Sequence, residues 1–468
     1  MHKIILFELN EVPLKILDYY RKMRPNSWIA TNYAQLQKHQ SYSENPGHLS
    51  PWNTWPTLHR GVTSDKHYIS DFNQDMSRVD QEFPPIWKVL AENNVTVGMF
   101  GSLHSYPIPE KRENYSFYVP DVFASGCECI PEKVELFQDI NLKLSRKSAR
   151  NVDNSIPYGD ALKLLGKINS IGLKPNTLMA VGGHLIKERI KPERTVRRRT
   201  YQSVLSFDVF FKLLKKNKPD FVTYFTNHVA SSQHRYWAAV FPNEYEELKF
   251  DQEWISTYNN EILFTMDESD KMLRKLASFV DKNPEYKLIL SSSMGQNAVE
   301  SEPLETQLYI TDHAKFFQNF GVGSDDFEVL PSMLPQFNYS VSAQKAADFK
   351  RKIESFTING SSLEFRDLGS NRFSLDFGHQ NLKTIELQIE GNPVVFDQSG
   401  LQNVEIEDKS NATAYHIPEG HLFIYHPSFK VSDLSENLIP TCEIFPTLLQ
   451  NFGLKVPDYA ASASKNLL

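Results

Sequence analysis

Cysteine is scarce in this chain: three in 468 residues, Cys127, Cys129 and Cys442. That excludes a disulfide scaffold. Cys127 and Cys129 form a lone C-x-C with no second pair, which argues against a zinc knuckle. No apolar run approaches the ~20 residues that cross a bilayer, so no membrane span is expected. Positive charge is not in excess either. A net charge of -7 gives no electrostatic reason to expect nucleic acid as a partner. The opening "MHKIILFELNEV" carries no basic leader and no small-residue cleavage site, so a cytoplasmic protein is expected. No internal repeat is visible, and no oligomeric state can be read.

What is present is the composition of a folded protein, 40% hydrophobic and 23% charged. The length exceeds one ordinary core, so more than one lobe is expected. Short β-branched runs alternate with helical patterns: "KIILFEL", "VTVGMFG", "PDFVTYFT", "YKLILSSS" and "GHLFIYHP" as strands, "PPIWKVLAENN", "SVLSFDVFFKLLKK", "NNEILFTMDESDKMLRKLASFVDK" and "TCEIFPTLLQNFG" as helices. This pattern predicts an α/β fold, a doubly wound and mostly parallel sheet with helices on both faces. Residues 1–103, 201–324 and 416–468 read as that core. Residues 104–200 are polar, proline-punctuated and basic near "RRRTYQ", and read as a cap over the carboxyl edge of the sheet. Residues 325–415, with "KTIELQIEG" and "NPVVFDQ", read as a smaller α/β or β-rich insert.

Ligands of open α/β sheets bind beyond the carboxyl ends of the strands. Four such ends are polar here: Glu8, Asn10 and Glu11; "TNHVASSQHRYW"; "SSSMGQN"; and "AYHIPEGH". A fifth segment, "GHLSPWNTWPTLHRGV", sets Ser50 and Thr54 ahead of prolines, the pattern of a hydroxyl-capped helix start. Pro56 would kink a helix begun at Pro51. The reading therefore starts the helix near Pro56 with Thr54 at its mouth, where phosphate or a developing alkoxide is favoured.

The order of these segments resembles the alkaline phosphatase superfamily, and within it the type I phosphodiesterase/nucleotide pyrophosphatase-like branch. The matching stretches are "TWPTLHRGVTSDKHYI", "QHRYW", "YNNEILFTMDESDKMLRKL…YKLILSSSMG", "HIPEGHLFIYHP" and "IFPTLLQNFGLKVPDY". The resemblance implies a hydroxyl nucleophile, Thr54 or alternatively Ser50, and two metal ions, usually zinc. His234 and His416 match the two histidines of the first metal site. Ala230 stands where that site's aspartate belongs, leaving Asn227 or His228 to substitute. In the second site Asn10 replaces an aspartate, and Ser293 and Met294 replace an Asp-His pair. Glu8 or Glu11 could supply charge near Asn10; strand alternation puts Glu8 on the side of Asn10, so Glu8 is the expected donor. One divalent metal, zinc or manganese, is expected; a second is not, because neutral groups are poor ligands for such a cation. Arg235, Trp55, Gln296 and Ser293 are the expected substrate contacts. His67 reads as a hydrogen-bonding histidine.

The implied function is a phosphoester or phosphodiester hydrolase or phospho-group transferase. Its substrate would be small and phosphorylated or sugar-containing, in surface-polysaccharide or phospholipid metabolism. Two other readings stand beside it. One is a metal-independent descendant that binds such a ligand. The other is sugar group transfer with His228 or His234 as general base.

Overall fold

Strand β1 (Lys3–Leu9) is apolar on both faces because it lies at the middle of a sheet covered on both sides. The computed structural model describes residues 1–71, 74–146, 168–332, 334–406, 410–429 and 434–464, with 159, 166 and 467 besides. Seven further strands join β1: β2 (Leu36–Tyr42), β3 (Val97–Phe100), β4 (Tyr115–Val119), β5 (Phe221–Thr226), β6 (Tyr286–Ser291) and, after a short β7 (Gly295–Ala298) and β8 (Ala414–Ile417), β9 (Leu422–Tyr425) and β10 (Leu434–Pro440). The eight-stranded order is β10-β2-β9-β6-β1-β5-β3-β4. Every pairing is parallel except those of β9, which runs antiparallel to both β2 and β6. The fold is the α/β sheet that the alternation of segments predicts.

Helices cover both faces. One core gathers Phe207 and Phe210, Trp237, and Met266 and Leu273. These come from three helices, Arg198–Asn217, His228–Val240 and Glu261–Lys282. The other gathers Trp55 and Leu58 from α1 (Pro51–Arg60) with Phe445 and Leu448 from Ile444–Asn451. Gly453, at φ 69°, ends that closing helix as expected. A third core runs from Leu304 to Ile406. It belongs to the smaller insert, built among the described residues of two four-stranded sheets and a two-stranded one, with two helices, His313–Gln318 and Ala343–Glu354. The insert thus begins earlier than the composition shift near 325, and the main sheet takes β4 from inside the stretch read as a cap. Most of 147–167, in that same stretch, lies outside the described residues.

The expected helix start is corrected. Helix α1 begins at Pro51, not near Pro56, with Ser50 as its N-cap and Gly61 in the left-handed conformation at its end. Pro56 sits inside it. Proline has no N–H, so the Trp52 carbonyl one turn earlier loses its helical partner. His104 Nε2 donates to that carbonyl at 2.9 Å, which is how the helix tolerates the proline.

Candidate metal centre

The sheet's carboxyl edge brings three donors together. Beyond the end of β1, Glu11 adopts a left-handed backbone, φ 57°. His234 lies in the second turn of α2 (His228–Val240). His416 lies on β8, directly opposite Gln296 of β7 in an antiparallel ribbon. Glu11 Oε2 is 2.8 Å from His234 Nε2 and 3.4 Å from His416 Nε2, and the three donor atoms all lie within 4.8 Å of one another. The side chains of Glu11, His416 and His234 are 3%, 9% and 26% exposed, so the group is reached from the His234 side.

Each imidazole is held from behind. His234 Nδ1 donates to the Ala414 carbonyl at 2.8 Å, and His416 Nδ1 to the Leu49 carbonyl at 2.7 Å. With the δ protons committed there, both ε nitrogens face the carboxylate. Backbone carbonyls fix metal-ligating histidines in this way. Gln296 Nε2 donates to Glu11 Oε2 at 2.5 Å, and Asn10 Nδ2 to Oε1 at 2.8 Å. The Gln296 amide oxygen is buried without a partner. Burial would push the Glu11 carboxyl up, but His416 and His234 hold it well below the usual range. Burial would lower His416, and Glu11 outweighs it, so His416 is raised. The charge and donor set suit one divalent ion of the zinc class, for which two imidazoles and a carboxylate are ordinary ligands.

The residues at the expected second metal position do not fit an ion. The Asn10 carbonyl accepts from Trp55 Nε1 at 2.7 Å, and its amide donates to Asn227 Oδ1 at 2.7 Å as well as to Glu11. Thr54 Oγ1 and Ser293 Oγ bond each other at 2.8 Å. Met294 is fully buried. These groups satisfy one another and bring no carboxylate of their own.

Other expected site residues lie elsewhere. Glu8 is not the charge donor. It is fully buried beneath the sheet edge, where it binds His59 Nε2 at 2.6 Å and accepts from Ser102 at 2.8 Å. Alternation misplaces the carboxylate because the strand stops at Leu9, and the left-handed turn at Glu11 breaks the two-residue period. His228 does not face the centre. Its ring nitrogens meet Thr226 Oγ1 and, on the other side, Thr265 O and Ser269 Oγ, and burial lowers it to about 4. Thr54 is fully buried and mid-helix, donating to the Ser50 carbonyl at 3.1 Å. Ser50 Oγ accepts from Trp52 N, the cap bond. Trp55, an expected substrate contact, is wholly buried and stacked on His59. His67 is the hydrogen-bonding histidine expected, set between Thr57 Oγ1 and the Ile69 N–H.

Arg235, with Arg199 and His228, lines a cavity of about 10 Å³. That holds one water, not a phosphate group. Arg197 is bidentate on Glu261, and Arg198 on Glu188. A larger cleft of about 480 Å³ opens beside His104, Tyr106, Asp121 and Phe123, where burial raises the Asp121 carboxyl to about 6.

No family model matches the chain, and no curated protein matches it. Among solved structures it is similar to murine ectonucleotide pyrophosphatase/phosphodiesterase 5, at 9% identity over 99% of this chain and 97% of that one, with a TM-score of 0.44. It is also similar to phosphonoacetate hydrolase from Sinorhizobium meliloti in complex with phosphonoacetate, at 11% identity over 95% and 94%, with a TM-score of 0.42. Likeness this distant assigns no activity. The functional reading rests on the chain's own groups.

Proposed function

We propose that this chain is a phosphoester hydrolase or phospho-group transferase working with one divalent cation rather than two. The observation that carries the reading is the convergence of two ε nitrogens on one buried carboxylate oxygen, with both δ nitrogens committed to backbone carbonyls. Support for phosphorus chemistry comes from the motif order along the chain. When bound, a zinc-class ion at Glu11, His234 and His416 supplies Lewis-acid neutralisation of charge on phosphoryl oxygens. The protein's own groups do the rest. Gln296 and Asn10 restrain the Glu11 carboxylate, the Ala414 and Leu49 carbonyls orient the imidazoles, and the half-exposed His234 edge admits substrate.

In this reading the nucleophilic hydroxyl at the helix mouth is Ser50, the cap of α1, one residue from the carbonyl that orients His416. Thr54 is the structural member of the pair. A second reading, a descendant that binds a phosphorylated or sugar ligand without turning it over, is favoured by the locked Thr54–Ser293 pair.

Metal analysis of the purified protein, with turnover of bis-p-nitrophenyl phosphate, decides between them. About one equivalent of zinc or manganese, with metal and turnover both lost in Glu11→Gln and turnover alone lost in Ser50→Ala, is the expected result. A metal-free protein that turns over no phosphoester but binds a phosphorylated or sugar ligand would support the binding reading. Turnover that persists in metal-free Glu11→Gln protein would overturn the proposal.

A further inference from the structure

The helix α3 (Pro175–Ile190) turns a mixed face inward, where the half-buried Leu178 packs on the main core, and leaves an apolar stripe outside. Thr177, His184 and Glu188 are buried, with Glu188 bidentate on Arg198 and the His184 ring 4.6 Å from that of Tyr201. Its outward face is apolar. Met179, Ile186 and Ile190 are 73%, 63% and 75% exposed. With Gly183 they stand at i, i+4, i+7 and i+11, which is one stripe of a helix. A side chain at Gly182 or Gly183 would meet nothing within 4 Å. Among the described residues no other element exposes three large apolar side chains.

Charge says what covers this stripe. Lys187 and Arg189 flank it on either side, and Lys191 follows at the helix end, all three exposed. In a chain of net charge -7 this is a local concentration of cations. The one carboxylate on this helix, Glu188, is buried and held by Arg198, so a second copy packed stripe to stripe offers these cations no anion from α3. An anionic lipid surface complements them instead: apolar side chains enter the headgroup boundary while lysine and arginine stems reach back to phosphate. No helix of the described chain is long and apolar enough to cross a membrane. We propose that α3 lies in the plane of an anionic bilayer and seats the protein on it, independently of the metal centre.

The test is co-flotation of the full-length protein with phosphatidylcholine vesicles, with and without phosphatidylglycerol. Binding that needs phosphatidylglycerol and weakens with salt is expected. A Met179→Ser/Ile186→Ser/Ile190→Ser variant should lose it. Lys187→Ala/Arg189→Ala should weaken it about 25-fold, at about fivefold per cation. All five positions are exposed, so an unchanged thermal midpoint verifies the fold in both variants. Three results would each overturn the proposal: no flotation of the native protein, flotation untouched by either variant, or a native dimer by light scattering that the triple serine variant dissociates while lipid binding is absent.

Discussion

Glu11→Gln keeps the size of the side chain and removes its charge, so it separates charge from packing at the centre. His416 Nε2 lies 3.4 Å from Glu11 Oε2. Opposite charges at that distance attract by about 5 kcal/mol at an effective dielectric of about 20. Burial opposes this by penalising the imidazolium, yet His416 is raised, so the carboxylate wins. Without the carboxylate, the remaining influences are burial and the hydrogen bond to the Leu49 carbonyl, and burial is the larger. In metal-stripped protein the His416 titration, followed by the Cε1–H resonance, should therefore move from above the ordinary 6.5 to below it in the variant. The metal arm is independent. At free zinc about 100 times Kd the native protein should gain about 2.7 kcal/mol of stability, and the variant should gain none. An unmoved His416 titration, or a variant that still takes up one zinc with the native thermal shift, would refute the assignment of Glu11 as the charge that organises this site.

Glu8→Gln replaces the carboxylate partner of His59 and Ser102 by a neutral amide and should cost about 1–3 kcal/mol in denaturant unfolding, while zinc stoichiometry stays native; loss of zinc would mean that Glu8 serves the centre. Thr54→Val strands the Ser293 hydroxyl and should cost about 1–3 kcal/mol with turnover retained, and abolished turnover at native metal content would restore Thr54 as nucleophile. His228 and His421 are buried neutral at about 4 against 6.5 when unfolded. The unfolded chain then takes up protons that the native state refuses, so their contribution is complete above pH 6.5 and is lost as pH falls toward 4, by about 3 kcal/mol each. Urea titrations at neutral and mildly acidic pH should show this decline, and equal stability at both would contradict it.

The architecture was legible because its strands are long apolar runs and its helices carry a clear period. KIILFEL, buried on both faces as β1, could scarcely be anything but a central strand. Strand β2, LQKHQSY, was not legible: its polar residues alternate weakly, and its place in the sheet comes from its neighbours β9 and β10. His234 and His416 were visible through the motifs around them. Glu11 ranks below Glu8 as the charge donor in the sequence, because a strand rule is carried past the last residue to which it applies. One signal was available: the "NEVP" that follows the strand, with Pro13 ending any extended run two residues after Glu11. The helix start was misjudged for a different reason. Pro56 looks forbidden inside a helix until a side chain from far along the chain, His104, takes up the carbonyl it orphans. No local pattern encodes that.

In the proposed reading Glu11 supplies the carboxylate that the resemblance places at position 230. Ala230, at the spacing where an aspartate would belong, contributes no charge, yet its carbonyl accepts from Gln296 Nε2 at 3.2 Å while the same amide donates to Glu11. In that reading the negative charge comes from the end of β1 and not from α2, and Gln296 links Glu11 to the Ala230 carbonyl. Two imidazoles need one nearby anion before a dication is held well, and electrostatics is indifferent to which element supplies it. Restoring the original arrangement is therefore an informative perturbation. Ala230→Asp alone should place a second carboxylate against Glu11 and raise the Glu11 carboxyl by like-charge repulsion. Ala230→Asp combined with Glu11→Gln should recover zinc binding that Glu11→Gln alone has lost. A double variant as metal-free as the single one would show that the end of β1, and not the charge count, is what the centre requires.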